Sequence, residues 1–399
     1  MAAIHREVVI VGGGFGGYYA AHELTSHDIP VSLIDTNGKQ TFQPLLYQAA
    51  TGLIDPDTLD FSFARMDKVT AIADRVVAVD LANREVTTAD GEQVSADHLV
   101  LATGATVNFY GIPGAAEHSY PLYTGAHARA IKARLQELGP TVAGPIQIVV
   151  VGAGATGVEI SGALTDVVTK VLPRTFPELD SRSINLHLVD RGEVPLPAMA
   201  AESQQFAAEE MSEAGVQLHL GHAVSEITES EVRFDDGSSL PSHLTIWAGG
   251  LSVSGPAMDP EPERGHGGRY QVDESLRLPG FENVFCVGDA AISAEQPLPQ
   301  LGSVAKQQGT HVGRAIRRQR KGDDPGTFRY RDMGDMAMVR HNAAVVEMGK
   351  QHHVVTGTPA FFMWLGLHAY LLPGERHRVE AVRDWMHTLR TGKSNYLGS

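Results

Sequence analysis

The chain has 399 residues, 43% of them hydrophobic and 20% charged, with a formal net charge of −15. That length holds two or three domains with ample core, and the acidic balance excludes nucleic acid as a partner. The one cysteine, Cys286, allows no disulfide within the chain and fits a reducing, cytoplasmic compartment.

Residues 1–7 are short and polar and a strand follows at once, so no signal or transit segment is expected. The apolar run Val8-Val9-Ile10-Val11 leads into Gly12-Gly13-Gly14-Phe15-Gly16-Gly17. This is a strand, a G-x-G-x-x-G turn and a helix start. Gly12 permits the tight turn, Gly14 lets backbone approach a pyrophosphate, and Gly17 lets the helix pack on the strand. The helix N-terminus then offers free amides and a positive dipole end to the diphosphate. A second strand, residues 30–34, ends at Asp35, close to the spacing of about 20 expected of an acid that bonds a ribose hydroxyl.

Residues 42–52 follow, FQPLLYQAATG. In flavoprotein reductases that use a thiol relay, this region carries a cysteine pair; here it carries none. Leu99-Val100-Leu101-Ala102-Thr103-Gly104 reads as a strand ending in an A-T-G turn.

The second glycine turn is Gly152-Ala153-Gly154-Ala155-Thr156-Gly157, after the strand Ile148-Val149-Val150-Val151. Glu159 lies at the start of its helix, where a first-turn acid is also simply favoured by the dipole. The next strand, residues 184–189, ends at Asp190, well beyond the usual interval of about 20; an insertion at residues 167–183 accounts for the excess. An acid there favours a free 2′-hydroxyl, hence NADH, although Arg191 beside it could meet a 2′-phosphate.

Residues 283–291 are a strand ending at Gly288-Asp289, where the glycine admits a cofactor chain and the acid accepts a ribityl hydroxyl. With the first turn this completes a split flavin domain. Two turns in register with strands imply two dinucleotides, FAD and NAD(P)H, with a hydride passing between them. With no cysteine pair, an acceptor must take electrons from the flavin directly. The basic run Arg314, Arg317, Arg318, Arg320, Lys321 ends a helix after Gln308. It reads as a solvated, dipole-compatible terminus, with contact to anionic lipid as the other reading.

Beyond residue 326, residues 328–346 read as strands, and residues 361–372 and 379–389 as helices broken at Pro373-Gly374. Phe361, Phe362, Trp364, Tyr370 and Trp385 cluster there beside a local excess of arginine and lysine. This suits an interfacial, monotopic attachment; a buried homodimer or domain interface uses the same residues. The 18 histidines show no metal-ligand spacing, and His311 and His368 read as structural.

These segments resemble the type II NADH:quinone oxidoreductases nearly end to end, in VIVGGGFGG, FQPLLYQAATG, LATGATVNFYGIPGAAEHSYPL, VVGAGATGVEISGAL, IWAGG, VFCVGDAA, VAKQQG and FFMWLGLHAYLL. The resemblance implies an α/β fold with two Rossmann-type, three-layer ββα dinucleotide-binding domains plus a C-terminal α+β domain. Residues 1–115 with 248–325 would bind FAD, residues 116–247 NADH, and residues 326–399 would associate with the membrane or dimerise.

By the same resemblance Gly12, Gly14, Gly17, Asp35, Thr103, Gly104 and Asp289 fall on FAD positions, and Gly152, Gly154, Gly157 and Asp190 on NADH positions. Phe15, Gln43, Ala102, Gly249, Gly288, Ser303 and Val304 join the cofactor-binding set. Glu159 matches the acid near nicotinamide and flavin, and Gln307 and Gln308 match the segment beside the quinone. The chain departs from the family where Gly302-Ser303 replaces a first glutamine, where Arg340 replaces a glycine and where Gln40 replaces a histidine. The expected activity is NADH oxidation with two electrons passed to a quinone at the cytoplasmic face of the cell membrane, without proton pumping. A soluble reductase for another quinoid acceptor, or a non-enzymatic redox sensor, are the rival readings.

Overall fold

Val8, Val9 and Ile10 are wholly buried because the strand Ile4–Val11 runs through the middle of a parallel sheet, where both faces are covered. The structure is a computed structural model that describes residues 3–141, 145–171, 184–349 and 352–391. The chain divides into two compact units: residues 1–41, 60–106 and 251–331, and residues 42–59, 107–250 and 332–399.

In the first unit, Ile4–Val11 pairs in parallel with Val31–Ile34 on one side and Gln93–Leu101 on the other. Val69–Ile72 continues the parallel run beyond Val31–Ile34. On the other side Glu85–Thr88 and Val76–Asp80 fold back antiparallel, and Val284–Cys286 joins Gln93–Leu101 in parallel. The helix Phe15–Thr25 packs against the helix Gly302–Gln319. Their backbones meet at Gly309, where any Cβ would overlap the Gly16 carbonyl.

The second unit repeats the plan. Ile146–Val151 is flanked in parallel by Ile184–Asp190 and Leu244–Trp247, with Val216–Leu220 and Tyr120–Pro121 outermost. A three-stranded antiparallel sheet, Val224–Ile227, Glu231–Phe234 and Ser239–Pro241, forms a further layer. The alternation of parallel sheet, helix and antiparallel sheet is the expected α/β architecture.

The C-terminal part of this unit holds an antiparallel sheet, Asp335–Arg340, Ala343–Met348 and His353–Thr356, followed by the helices Gly357–Leu371 and Glu375–Thr391. Both helices start earlier than the apolar pattern suggests, and the break falls at Leu372-Pro373-Gly374 as read. The strand reading fails for residues 328–334: Phe328 makes a backbone bond to the Glu274 carbonyl and no ladder follows among the described residues. The third strand of the sheet escapes the sequence reading. Of the insertion after the second glycine helix, residues 167–171 continue as a π-helical turn; residues 172–183 lie outside the described residues.

Candidate active site

Local strain at the first turn explains its glycines. Gly12 has φ +96, and a Cβ there would run into the Ala102 carbonyl, while one on Gly17 would overlap Gly12 O. These two glycines are needed by the fold itself. Gly14 is different: it caps the helix Phe15–Thr25 with extended backbone, and a Cβ on it would meet nothing within 4 Å. Its Cα borders open space at a helix N-terminus, which is where a diphosphate binds.

Asp35 braces this turn. Its Oδ2 accepts the Gly13 amide at 2.9 Å and its Oδ1 the Asn37 amide at 2.9 Å. The same carboxylate borders a cavity of about 400 Å³ shared with Gly12, Asp74, Arg75, Thr103 and Ser254, a volume suited to a small-molecule ligand. The Thr103 hydroxyl is buried without a hydrogen-bond partner among the described residues. A buried orphan hydroxyl is costly, and a ligand group at this position would satisfy it. An open helix cap, a carboxylate at the rim and an orphan hydroxyl together fit a bound dinucleotide.

Ala102 donates its amide to Val11 O at 2.8 Å, and Gly104 then turns the chain with φ +68. On the neighbouring strand, Gly288 has φ +72 and donates its amide to Gln308 Oε1 at 2.7 Å. Gln308 is buried, so its carboxamide fixes the turn that presents Asp289. The Asp289 carbonyl accepts Gln300 Nε2 at 3.2 Å. Sequence reasoning missed Arg269, whose buried guanidinium donates to Leu298 O at 2.8 Å and to Ala291 O and lies within electrostatic reach of Asp289. Burial lowers the Arg269 pKa and the Asp289 charge opposes this.

Phe15 and Val304 are buried where the two helices start, with the Phe15 ring beside Gly302. Ser303 Oγ lies 3.2 Å from the Tyr330 hydroxyl. Gln307 clasps the backbone of Arg331, accepting its amide at 3.0 Å and donating to its carbonyl at 2.9 Å. Cys286 is buried, and burial pushes its thiol up to about 12; such a thiol is inert as a redox relay.

In the second unit the geometry recurs. Gly152 has φ +107 and abuts the Ala248 carbonyl, Gly157 abuts Gly152, and Gly154 caps the helix Ala155–Asp166 facing open space. Asp190 Oδ2 accepts the Ala153 amide at 2.6 Å and Oδ1 the Gly192 amide at 2.6 Å. Gly249 lies against the Trp247 ring, whose Nε1 donates to Asn108 O at 3.0 Å. Gln43 Nε2 donates to Tyr123 O at 3.4 Å.

Glu159 is the fifth residue of that helix, just past its first turn, so the first-turn reading does not hold, and it lies in a poorly hydrated setting. Desolvation lifts its carboxyl from the ordinary 4.5 to about 8, against the opposing pull of the Met338 amide and the Trp364 indole. Tyr47 is buried nearby; burial, then the Glu159 charge, raises its phenol well above 10. Gln48 Nε2 donates to the Tyr47 hydroxyl at 3.1 Å, and Gln48 Oε1 accepts Trp385 Nε1 at 2.7 Å. Tyr47, Gln48, Met338 and Trp385 border a small cavity of about 50 Å³. His368 stacks on Trp364 with centroids 3.9 Å apart, and burial drops its imidazole to about 4, so it stays neutral and structural.

Residues 6–309 match the family model for pyridine nucleotide-disulphide oxidoreductases. The chain is 30% identical to the type II NADH:quinone oxidoreductase Ndh of Mycobacterium tuberculosis, an alignment covering 98% of this chain and 90% of that one. The chain belongs to the type II NADH:quinone oxidoreductases. It is thus an oxidoreductase of this family, within the wider pyridine nucleotide-disulphide group. The Staphylococcus aureus type II enzyme is 25% identical over 91% of this chain and 94% of its own. The fold agrees with NDH2 of Plasmodium falciparum, solved in complex with NADH, at a TM-score of 0.89 and 16% identity, covering 97% of this chain and 99% of the other.

The chain matches a disulphide-oxidoreductase family model yet has one cysteine and so no internal disulphide. The 42–52 segment keeps its place in the chain but carries Tyr47 and Gln48, not cysteines. Among the described residues no helix is long and apolar enough to cross a membrane, and no group of three side chains is placed to hold a metal ion.

Proposed function

We propose that this chain oxidises NADH and reduces a quinone through a bound flavin, and that the flavin is FAD. The observation that carries the reading is the pair of open glycine caps, each braced by an acid, in a chain whose single thiol is buried and inert. A helix-capped turn beside Asp35 and a 400 Å³ cavity supports a flavin with a diphosphate and an adenosine half, rather than a mononucleotide. When bound, the flavin supplies the two-electron step between nicotinamide and quinone.

The residues supply the rest. Gly14 and Gly154 admit diphosphates to helix N-termini. Asp35 and Asp190 set the two turns and remain as ribose acceptors; a carboxylate at Asp190 disfavours a 2′-phosphate, which selects NADH over NADPH. Thr103 offers its free hydroxyl, and Asp289, backed by Arg269, is the acceptor for a ribityl hydroxyl. Glu159 keeps its proton at neutral pH and gives or takes one as charge changes beside it. Gln48 and Trp385 hold Tyr47 in one rotamer. Ser303 and Gln307 are the proposed donors to the quinone, with Gln308 acting through Gly288.

The helices Gly357–Leu371 and Glu375–Thr391 expose Phe362, Leu367, Tyr370, Val379, Val382 and Met386. Apolar side chains of this size beside Arg376, Arg378 and Arg383 support peripheral attachment to the cytoplasmic face of the cell membrane, where a lipid-borne quinone and cytosolic NADH meet. A homodimer would cover the same surface. An acceptor panel assayed with and without liposomes tests the reading. Lipid-soluble quinones should be reduced by NADH, faster with vesicles present. Turnover with small soluble acceptors alone would favour the soluble reductase, and Ser303 in place of a glutamine is the feature behind that alternative.

A further inference from the structure

The helix Gly302–Gln319 carries the proposed quinone contact near its start; something different is built at its end. His311, Arg314, Arg317, Arg318 and Lys321 border one open cavity of about 390 Å³, lined also by the turn at Pro325, Gly326 and Thr327, with Asp323 the acid on its lining. The cavity lies roughly 20 Å from Ser303 along the helix axis, at 1.5 Å per residue.

Carboxylates answer only part of this charge. Glu23 pairs with Arg317 at 2.6 Å and Arg314 at 3.5 Å, and also faces His27. Arg318 and Lys321 form no ion pair with any described residue. The helix dipole at a C-terminus is worth about half a charge and favours a cation or two; it does not account for four around one hollow in a chain of net charge −15. A solvated terminus would spread such side chains apart. Here they border a concavity whose wall also holds a buried polar atom: the His311 ring hydrogen-bonds the Gly326 backbone and packs on Phe328 with centroids 5.5 Å apart, but its Nε2 has no hydrogen-bond partner among the described residues.

We infer that this cavity is a binding site for a phosphate-bearing anion, separate from both dinucleotide turns and from the Ser303 end of the helix. Three guanidinium groups, two of them sharing Glu23, and an ammonium supply the charge-assisted donors that phosphate oxygens accept. The volume is that of a small-molecule site, generous for one inorganic phosphate and suited to an organic phosphate or diphosphate. The phosphate could belong to a soluble metabolite or to a lipid headgroup; the chemistry recognised is the same.

The test uses the full-length, flavin-loaded protein and two variants, the double substitution Arg318→Gln/Lys321→Gln and the rim substitution Thr327→Glu. Thr327 is exposed, so the latter adds a repelling charge without disturbing the core. Flavin content and KM for NADH serve as fold controls. Inorganic pyrophosphate is titrated at low ionic strength by calorimetry, and binding to phosphatidylglycerol and phosphatidylcholine vesicles is measured by co-sedimentation. A pyrophosphate site weakened at least tenfold in both variants, at unchanged KM for NADH, supports a soluble phosphate ligand. Unaltered pyrophosphate binding with a several-fold loss on phosphatidylglycerol alone supports a lipid headgroup. Variants that match the parent in every arm overturn the inference.

Discussion

Glu159 Oε1 accepts the Met338 amide at 3.3 Å, so a carboxyl on the second glycine helix is tied to a strand of the C-terminal sheet. That bond and the Trp364 indole do not compensate for lost hydration, and the carboxyl is lifted to about 8. The folded protein therefore keeps a proton on Glu159 over a range in which the unfolded chain, titrating near 4.5, has released it. Stability from this group is complete below about pH 4.5 and falls as pH rises toward 8.

Glu159→Gln should remove that loss. Its stability relative to the parent should grow between pH 5 and pH 8 by on the order of 2–4 kcal/mol, read as a widening Tm difference. In the parent, turnover should carry an ionisation near 8 that is missing from the variant's pH profile, with kcat reduced about tenfold or more.

The glycines should separate by role. Gly154→Val leaves the fold intact, since its side chain enters open space, but raises KM for NADH at least tenfold with flavin content unchanged. Gly14→Val should fold with little bound flavin. Gly157→Val, whose side chain would collide with Gly152, should give little folded protein. Flavin-to-protein absorbance ratios and NADH kinetics distinguish the three.

Trp385→Phe should cost about 1–2 kcal/mol, because Gln48 Oε1 loses its donor inside a buried chain that ends at Tyr47. Chemical denaturation measures the loss. A larger fall in turnover than in stability would mark Tyr47 as positioned by this chain.

Much of this was legible in the sequence because the signals are local. Strand, glycines, helix and acid succeed one another within a few dozen residues at each turn; Asp35 lies where both spacing and strand end put it, and Asp190 ends its strand despite the longer interval. What was not legible depends on contacts remote in sequence. Trp385 meets Gln48 across most of the chain, and Arg269, although near Asp289 in sequence, belongs to no motif that marks it. Gln308 was read as a substrate contact from its segment, while its side chain is turned inward to Gly288. Residues 328–334 were read as strand with the rest of 328–346, yet a strand needs a paired neighbour, and none pairs with them among the described residues.

Phe362→Ser combined with Tyr370→Ser should lower co-sedimentation with anionic vesicles several-fold while leaving NADH turnover with a water-soluble quinone within twofold. Both side chains are largely exposed, at 60% and 69%, so their loss costs little stability. A change of sedimentation coefficient instead, from dimer to monomer, would assign the surface to self-association.

Anaerobic stopped-flow mixing tests the central claim most directly. NADH should bleach the visible flavin band of the purified protein in one fast phase, and a quinone added next should restore it at a rate no slower than kcat, with thiol alkylation beforehand making no difference. A band that persists in excess NADH, or that bleaches and is then untouched by every quinone, would contradict the account.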